Sequence, residues 1–81
     1  MRLRRRPGDT AALREEARGL VAILYYAAAL GGGHAASVTR ARLVEIADTV
    51  GWPAPPPLTE LVEDPRLIDG WAAQACGAVW G

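Results

Sequence analysis

The sequence predicts an all-α fold: a small four-helix bundle, three helices long and one short, in an orthogonal or irregular arrangement with a proline-rich connector. Three observations support this prediction. Apolar residues recur at helical spacing in several stretches of the 81-residue chain. Clusters of glycine or proline, at 31–33 and at 53–57, separate these stretches. No stretch shows the apolar–polar alternation over strand length that a half-buried strand needs.

The first long helix is predicted from about Thr10 to Leu30, with Asp9 or Thr10 as its N-cap. Its first half is amphipathic, with one apolar stripe formed by Leu13, Ala17, Leu20 and Leu24. Its second half, residues 20–30, is apolar on every side. This pattern predicts a segment buried all round, at the centre of the bundle or of a dimer.

The second helix follows the Gly31–Gly33 break, with Ser37 or Thr39 as its cap, and ends near Val50. Its buried face is predicted from four apolar residues: Leu43, Ile46, Ala47 and Val50. The polar residues predicted to face away are Arg40, Asp48 and Thr49. Arg42 and Glu45 are spaced to form an ion pair on one helix face.

Residues 53–57, Pro-Ala-Pro-Pro-Pro, cannot be regular helix and are predicted to form a rigid, extended connector. A docking ligand for an aromatic groove is the alternative interpretation of this segment. Residues 58–63 allow about two turns of a third helix. Asp64-Pro65 then signals the start of a fourth helix, to about Val79. Its apolar stripe is predicted to be Leu67, Ile68, Trp71, Ala72, Ala75 and Val79.

Length and charge predict one domain with a thin core. Residues 1–8 are expected to form a flexible basic arm, and residues 9–81 a single small helical domain. The net charge is zero, but residues 1–18 carry six Arg against three acidic residues, and residues 40–69 carry three Arg against six. A thin core favours association with a protein partner or a second copy, whereas nucleic acid is not expected as a partner.

The single cysteine, Cys76, excludes an internal disulfide and any multi-cysteine metal site, and it fits a reducing compartment. The apolar run 19–30 is too short to cross a bilayer. Acidic residues between this run and the basic arm are atypical of a secretory signal. The sequence therefore predicts a cytoplasmic protein with no membrane partner.

Residues 43–52 resemble the opening helix and glycine turn of a helix-turn-helix motif, through Ile46, Ala47, Val50, Gly51 and Trp52. A reading helix should then present polar side chains to base edges. Here the connector offers none, and the residues that follow it are acidic: Glu60, Glu63 and Asp64. The favoured interpretation is a helix that ends at Gly51, followed by a stiff crossover.

Candidate functional residues are few. The aromatic residues proposed to bind a partner are Tyr25, Tyr26, Trp52, Trp71 and Trp80. At least one of the two tyrosines is expected to reach the surface, because a buried hydroxyl needs a partner. His34 is expected to be exposed in a loop, and Cys76 to be a small core residue. No catalytic, cofactor-binding or metal-binding residue is assigned, and no cofactor is expected.

The sequence therefore predicts a non-catalytic helical protein-interaction module, an accessory subunit or adaptor that binds a larger protein or itself. One alternative is a degenerate helix-turn-helix DNA-binding regulator, with a nucleic-acid arm formed by Arg2, Arg4, Arg5 and Arg6. A second alternative is a precursor peptide, whose helical leader precedes a C-terminal core at 70–81 that is rich in Trp and contains Cys76.

Overall fold

The computed structural model describes residues 7–76, with side chains from 11 to 75. Its four helices are α1 (Pro7–Ala29), α2 (His34–Val50), α3 (Leu58–Glu63) and α4 (Leu67–Cys76). This architecture confirms the all-α prediction of three long helices, one short helix and a proline-rich connector between α2 and α3. The predicted positions of Val79 and Trp80 lie outside the described residues.

α1 begins earlier than the sequence pattern indicated. Its first residue is Pro7, so the predicted cap at Asp9 or Thr10 is wrong, and Pro7-Gly8 is helical rather than part of a flexible arm. The physical reason is the fixed φ of proline, which suits the first helical position, where the missing N–H costs no hydrogen bond. Residues 1–6 lie outside the described part of the chain.

The end of α1 is a glycine-dependent turn, as predicted. Gly31 has φ +108°, and the Gly32 N–H donates to the Ala27 carbonyl at 2.9 Å. The Gly31 N–H donates to the Ala28 carbonyl. Both bonds satisfy carbonyls that the end of a helix leaves without a partner. Gly32 also allows a close approach, because a Cβ there would lie 2.9 Å from Cγ2 of Val62.

α2 also begins earlier than predicted, at His34 rather than after Ser37 or Thr39. Its N-cap is Gly33, whose φ of +87° and ψ of −163° are accessible to glycine without strain. The Thr39 hydroxyl instead donates to the Ala35 carbonyl within the helix, at 2.7 Å. His34 is therefore exposed, as expected, but it is a helical residue and not a loop residue.

α4 begins two residues later than the Asp64-Pro65 signal predicted, at Leu67. Residues 65 and 66 form a turn, in which the Leu67 N–H donates to the Asp64 carbonyl at 3.1 Å. The Asp64 carboxylate accepts from the Arg66 N–H at 3.3 Å. Asp64 thus organises the turn before the helix, because its short side chain bonds the backbone two residues on.

The core lies around α1, which contacts each of the other three helices and α2 most extensively. The Cα atoms span 17 Å in the thinnest direction, which is room for two layers of helices with axes about 8–10 Å apart. The core is therefore a single layer of side chains between them, consistent with the predicted thin core. Its largest fully buried side chains are Leu24, Leu43, Ile46, Leu61 and Ile68.

The predicted stripes are largely confirmed. Ala17 and Leu24 of α1 are buried, and Leu13 and Leu20 pack against the core from its edge. On α2 the predicted face is buried at Leu43, Ile46 and Ala47, with Val50 half-buried. On α4 the buried residues are Ile68, Trp71 and Ala72, with Ala75 partly buried, whereas Leu67 is exposed.

The prediction that the second half of α1 is buried all round is wrong for the folded chain. One face packs on the core through Val21, Leu24 and Ala28. The opposite face carries Ile23 and Tyr26 into solvent. The reason is geometric: α2, α3 and α4 cover one side of α1, and no described helix covers the other.

Candidate functional site

The exposed face of α1 forms a continuous apolar surface, which we call the outer stripe. Its members are all exposed and recur at spacings of three and four residues along α1 and into the first residue of the turn that follows it: Gly19, Ala22, Ile23, Tyr26, Ala29 and Leu30. The three large side chains are 53%, 70% and 88% exposed at Ile23, Tyr26 and Leu30. Such a contiguous apolar patch typically marks a binding surface.

The outer stripe lies in a part of the chain that carries no formal charge. Between Arg18 and Arg40 there is no Asp, Glu, Lys or Arg, and His34 is the only titratable side chain besides the tyrosines. Val38, which is 54% exposed on α2, belongs to the same uncharged stretch. Exposed surface that lacks charge is easily desolvated, which suits it to contact with another protein.

The two tyrosines of α1 divide between core and surface, so the prediction that one would reach the surface is confirmed. Tyr25 is half-buried and packs against the core, whereas the Tyr26 ring projects outward. The rings meet edge to face, with centroids 6.0 Å apart and an interplanar angle of 78°. This edge-to-face contact is an arrangement that aromatic pairs prefer.

The tryptophans Trp52 and Trp71 form part of the fold at the corner after α2. Trp71 is buried, and its indole N–H donates to the Pro53 carbonyl at 2.9 Å. The Trp52 ring meets it edge to face, with centroids 6.0 Å apart and an interplanar angle of 81°. Both rings, proposed from sequence as partner-binding residues, therefore contribute packing to the corner itself.

Arg40 holds the connector against α2. Its Nε donates to the Pro56 carbonyl at 2.7 Å and its Nη2 to the Pro55 carbonyl at 3.1 Å. The prediction that Arg40 faces away from the fold is therefore wrong, because its long side chain reaches back over the buried Pro55. Three connector carbonyls are thus engaged within the fold by Arg40 and Trp71, which supports the connector interpretation over that of a docking ligand.

An ionic contact joins α1 to α2. Arg42 donates to both carboxylate oxygens of Glu16, at 2.6 and 2.8 Å, and to Glu45 at 3.1 Å. The Glu45 pair was predicted from spacing, whereas the Glu16 pair joins residues 26 positions apart. Hydrogen bonding from Arg42 lowers the pKa of the Glu16 carboxyl from its ordinary value of 4.5, outweighing the opposing effect of desolvation. The same carboxylates raise the pKa of Arg42.

An open groove of about 490 Å³ lies where the connector meets α3 and α4. Its walls are Pro53, Ala54, Pro56, Glu60, Arg66, Leu67, Gly70, Trp71 and Gln74. Arg66 Nε pairs with the Asp64 carboxylate at 3.2 Å, and the Trp71 indole is engaged by Pro53. These polar groups are directed at the fold and not toward a common point within the groove, so the outer stripe is the stronger candidate.

α3 occupies the place where a helix-turn-helix would have its reading helix. It has six residues, follows Pro57, buries Leu61 and exposes Thr59, Glu60 and Glu63. The proposed nucleic-acid arm, Arg2, Arg4, Arg5 and Arg6, lies outside the described residues, as does Trp80. Cys76 ends α4, and its side chain is likewise outside the described part.

Among the described residues, no three His, Cys, Asp or Glu side chains gather where they could hold one metal ion. Within the same range, no helix has the length and hydropathy needed to cross a membrane. Comparison of the chain with family models, curated proteins and solved structures gave no match. The functional interpretation therefore depends on the geometry.

Proposed function

We propose that the chain is a small non-catalytic helical interaction module, an accessory subunit or adaptor that binds a larger protein or a second copy through the outer stripe. The observation that carries the proposal is the division of α1 into two apolar faces, of which only one is used by the fold. Leu24 is fully buried, whereas Leu30, six residues on, is 88% exposed. A cytoplasmic location belongs to this proposal and is supported by the single cysteine.

The shape of the surface supports binding of a protein rather than a small molecule. The stripe is convex and follows one helix face, whereas small ligands usually occupy concave pockets. Its centre is an aromatic ring flanked by aliphatic side chains, the composition typical of an interface anchor. Tyr26 also keeps a hydroxyl that can remain solvated or hydrogen-bonded at the rim.

The experiment that tests the proposal is a comparative capture from the native host with tagged protein. Tyr26→Arg and Leu30→Arg place a charge in the outer stripe, and Ala73→Arg places the same charge on the exposed face of α4 as a matched control. We expect the two stripe variants to lose partners that wild type and Ala73→Arg both retain. Identical partners for all four proteins would overturn the proposal.

A further inference from the structure

We propose that the outer stripe pairs with the outer stripe of a second copy, with the two α1 helices antiparallel about a two-fold axis. This inference rests on the proposed function and names the occupant of its surface. Four residues of the stripe, Gly19, Ile23, Tyr26 and Leu30, are spaced by four, three and four positions. This spacing is the same in either direction along the chain, which is the requirement of a two-fold interface.

The two-fold axis that gives this match passes midway between Ile23 and Tyr26. In that register Ile23 of one copy faces Tyr26 of the other, and Leu30 faces Gly19. Leu30 is the most exposed large apolar residue described, and Gly19 presents no side chain. The largest projection on the stripe thus meets its smallest residue, and the pattern is repeated at the other end by symmetry.

Gly19 has no packing role within the folded chain. It lies inside α1, is exposed, and an added Cβ would meet nothing within 4 Å. Glycine inside a helix costs up to about 1 kcal/mol relative to alanine. Close approach of a second helix would account for a glycine that the packing of the single chain does not require.

One charge beside the stripe also fits the antiparallel register. Arg18 of one copy would lie near the C-terminal end of the other α1, which has no basic residue in its last turn. A cation is favoured at that end of a helix dipole. Arg18 also pairs with Glu15 of its own copy, at 3.9 Å.

The area sets the expected affinity. Ile23, Tyr26 and Leu30 expose about 400 Å² of mainly apolar surface per copy, within the range of a functional patch. Complete burial of these three residues on both copies would remove about 800 Å² from water, which is in the range of weak, transient interfaces. We therefore expect a weak, reversible dimer with a dissociation constant between about micromolar and millimolar.

Sedimentation equilibrium tests the presence of the dimer. Wild type is expected to dimerise, and Leu30→Glu to raise the dissociation constant by about tenfold or more. Ala73→Glu is the matched control and should behave as wild type. Wild-type protein that stays monomeric to about millimolar concentration would overturn the proposal. It would leave the capture experiment to judge the proposed function separately.

Disulfide trapping tests the register, in a Cys76→Ser background that removes the native thiol. Copies carrying Ile23→Cys are mixed with isotope-labelled copies carrying Tyr26→Cys, and the disulfides are counted by mass spectrometry. The antiparallel pair predicts that the mixed disulfide exceeds each same-variant disulfide several-fold. Predominance of the same-variant products would contradict this pairing. Circular dichroism of each variant confirms that the helices are retained, since both positions are exposed.

Discussion

Leu24 and Leu30 offer a direct comparison of the two faces of α1 with one kind of substitution. Leu24 is fully buried, and Leu30 is 88% exposed in the turn that follows the helix. Replacing each by alanine removes the same atoms from two different environments. Because the side-chain change is the same, the difference in unfolding free energy between the two variants reports the effect of burial in the fold.

The magnitude follows from burial. Leu→Ala at a fully buried site removes transfer free energy and leaves a cavity, at a cost of about 3–5 kcal/mol. Because the core is a single layer that can partly collapse, we expect Leu24→Ala to lie near the lower value, about 3 kcal/mol. A domain of this size has a total stability of about 4–12 kcal/mol. The thermal midpoint should fall by about 12–24 °C.

Leu30→Ala should change the unfolding free energy of the monomer by less than about 0.5 kcal/mol, as is usual at exposed sites. The assay is urea unfolding followed by far-ultraviolet circular dichroism, at a protein concentration well below that of association. Comparable losses of unfolding free energy in the two variants would refute the reasoning, because Leu30 would then belong to the core.

Three further predictions concern the corner, α4 and the ionic contact. Trp71→Phe removes the indole donor to the Pro53 carbonyl and should cost about 1–2 kcal/mol in urea unfolding; an unchanged midpoint would show that this bond contributes nothing. Gly70→Ala should stabilise the protein by up to about 1 kcal/mol, because a Cβ there meets nothing; a lower thermal midpoint would count against a regular helix at that position. Because pairing with Arg42 lowers the folded-state pKa of Glu16, its stabilisation is complete above the unfolded value and is lost as the pH falls through the folded one. Glu16→Gln should therefore lower the unfolding free energy more at pH ~7 than at pH ~3. An equal loss at both pH values would show that the ion pair with Arg42 is not its cause.

The apolar pattern was sufficient to predict the fold class and most of the core. Leu24, Leu43 and Ile46 could be placed because helical periodicity is local and marks the buried face directly. The breaks at 31–33 and 53–57 were equally clear, since glycine and proline act through their own backbone restrictions. Helix count and order followed from these signals together with Asp64-Pro65, which marks the boundary between the third and fourth helices.

Helix starts were predicted less accurately, for a specific reason. The expectation for α2 gave weight to the hydroxyls of Ser37 and Thr39, whereas the helix is begun by Gly33 in a conformation that glycine adopts without strain. For α1, Pro7 is itself a signal of a first helical position, whereas the predicted start depended on the side chains of Asp9 and Thr10. Capping by a side chain is only one of several ways in which the free N–H groups at a helix start are satisfied.

The long-range contacts could not be predicted from the chain. Arg40 reaches carbonyls 15 and 16 residues away, and Arg42 pairs with Glu16 across two helices. Neither spacing has a local signature, because both depend on how the helices pack. The exposure of Tyr26 also depends on how the helices pack, since the sequence of an all-apolar segment does not show which of its sides the fold leaves uncovered.

The central claim is that the outer stripe is the surface through which this chain binds protein. The most direct test is photo-cross-linking in the native host, with benzoylphenylalanine in place of Tyr26 and, as a control, of the exposed Gln74. We predict covalent adducts to a partner or a second copy from position 26 and none from position 74. Absence of adducts at position 26, or equal adducts at both positions, would contradict the claim.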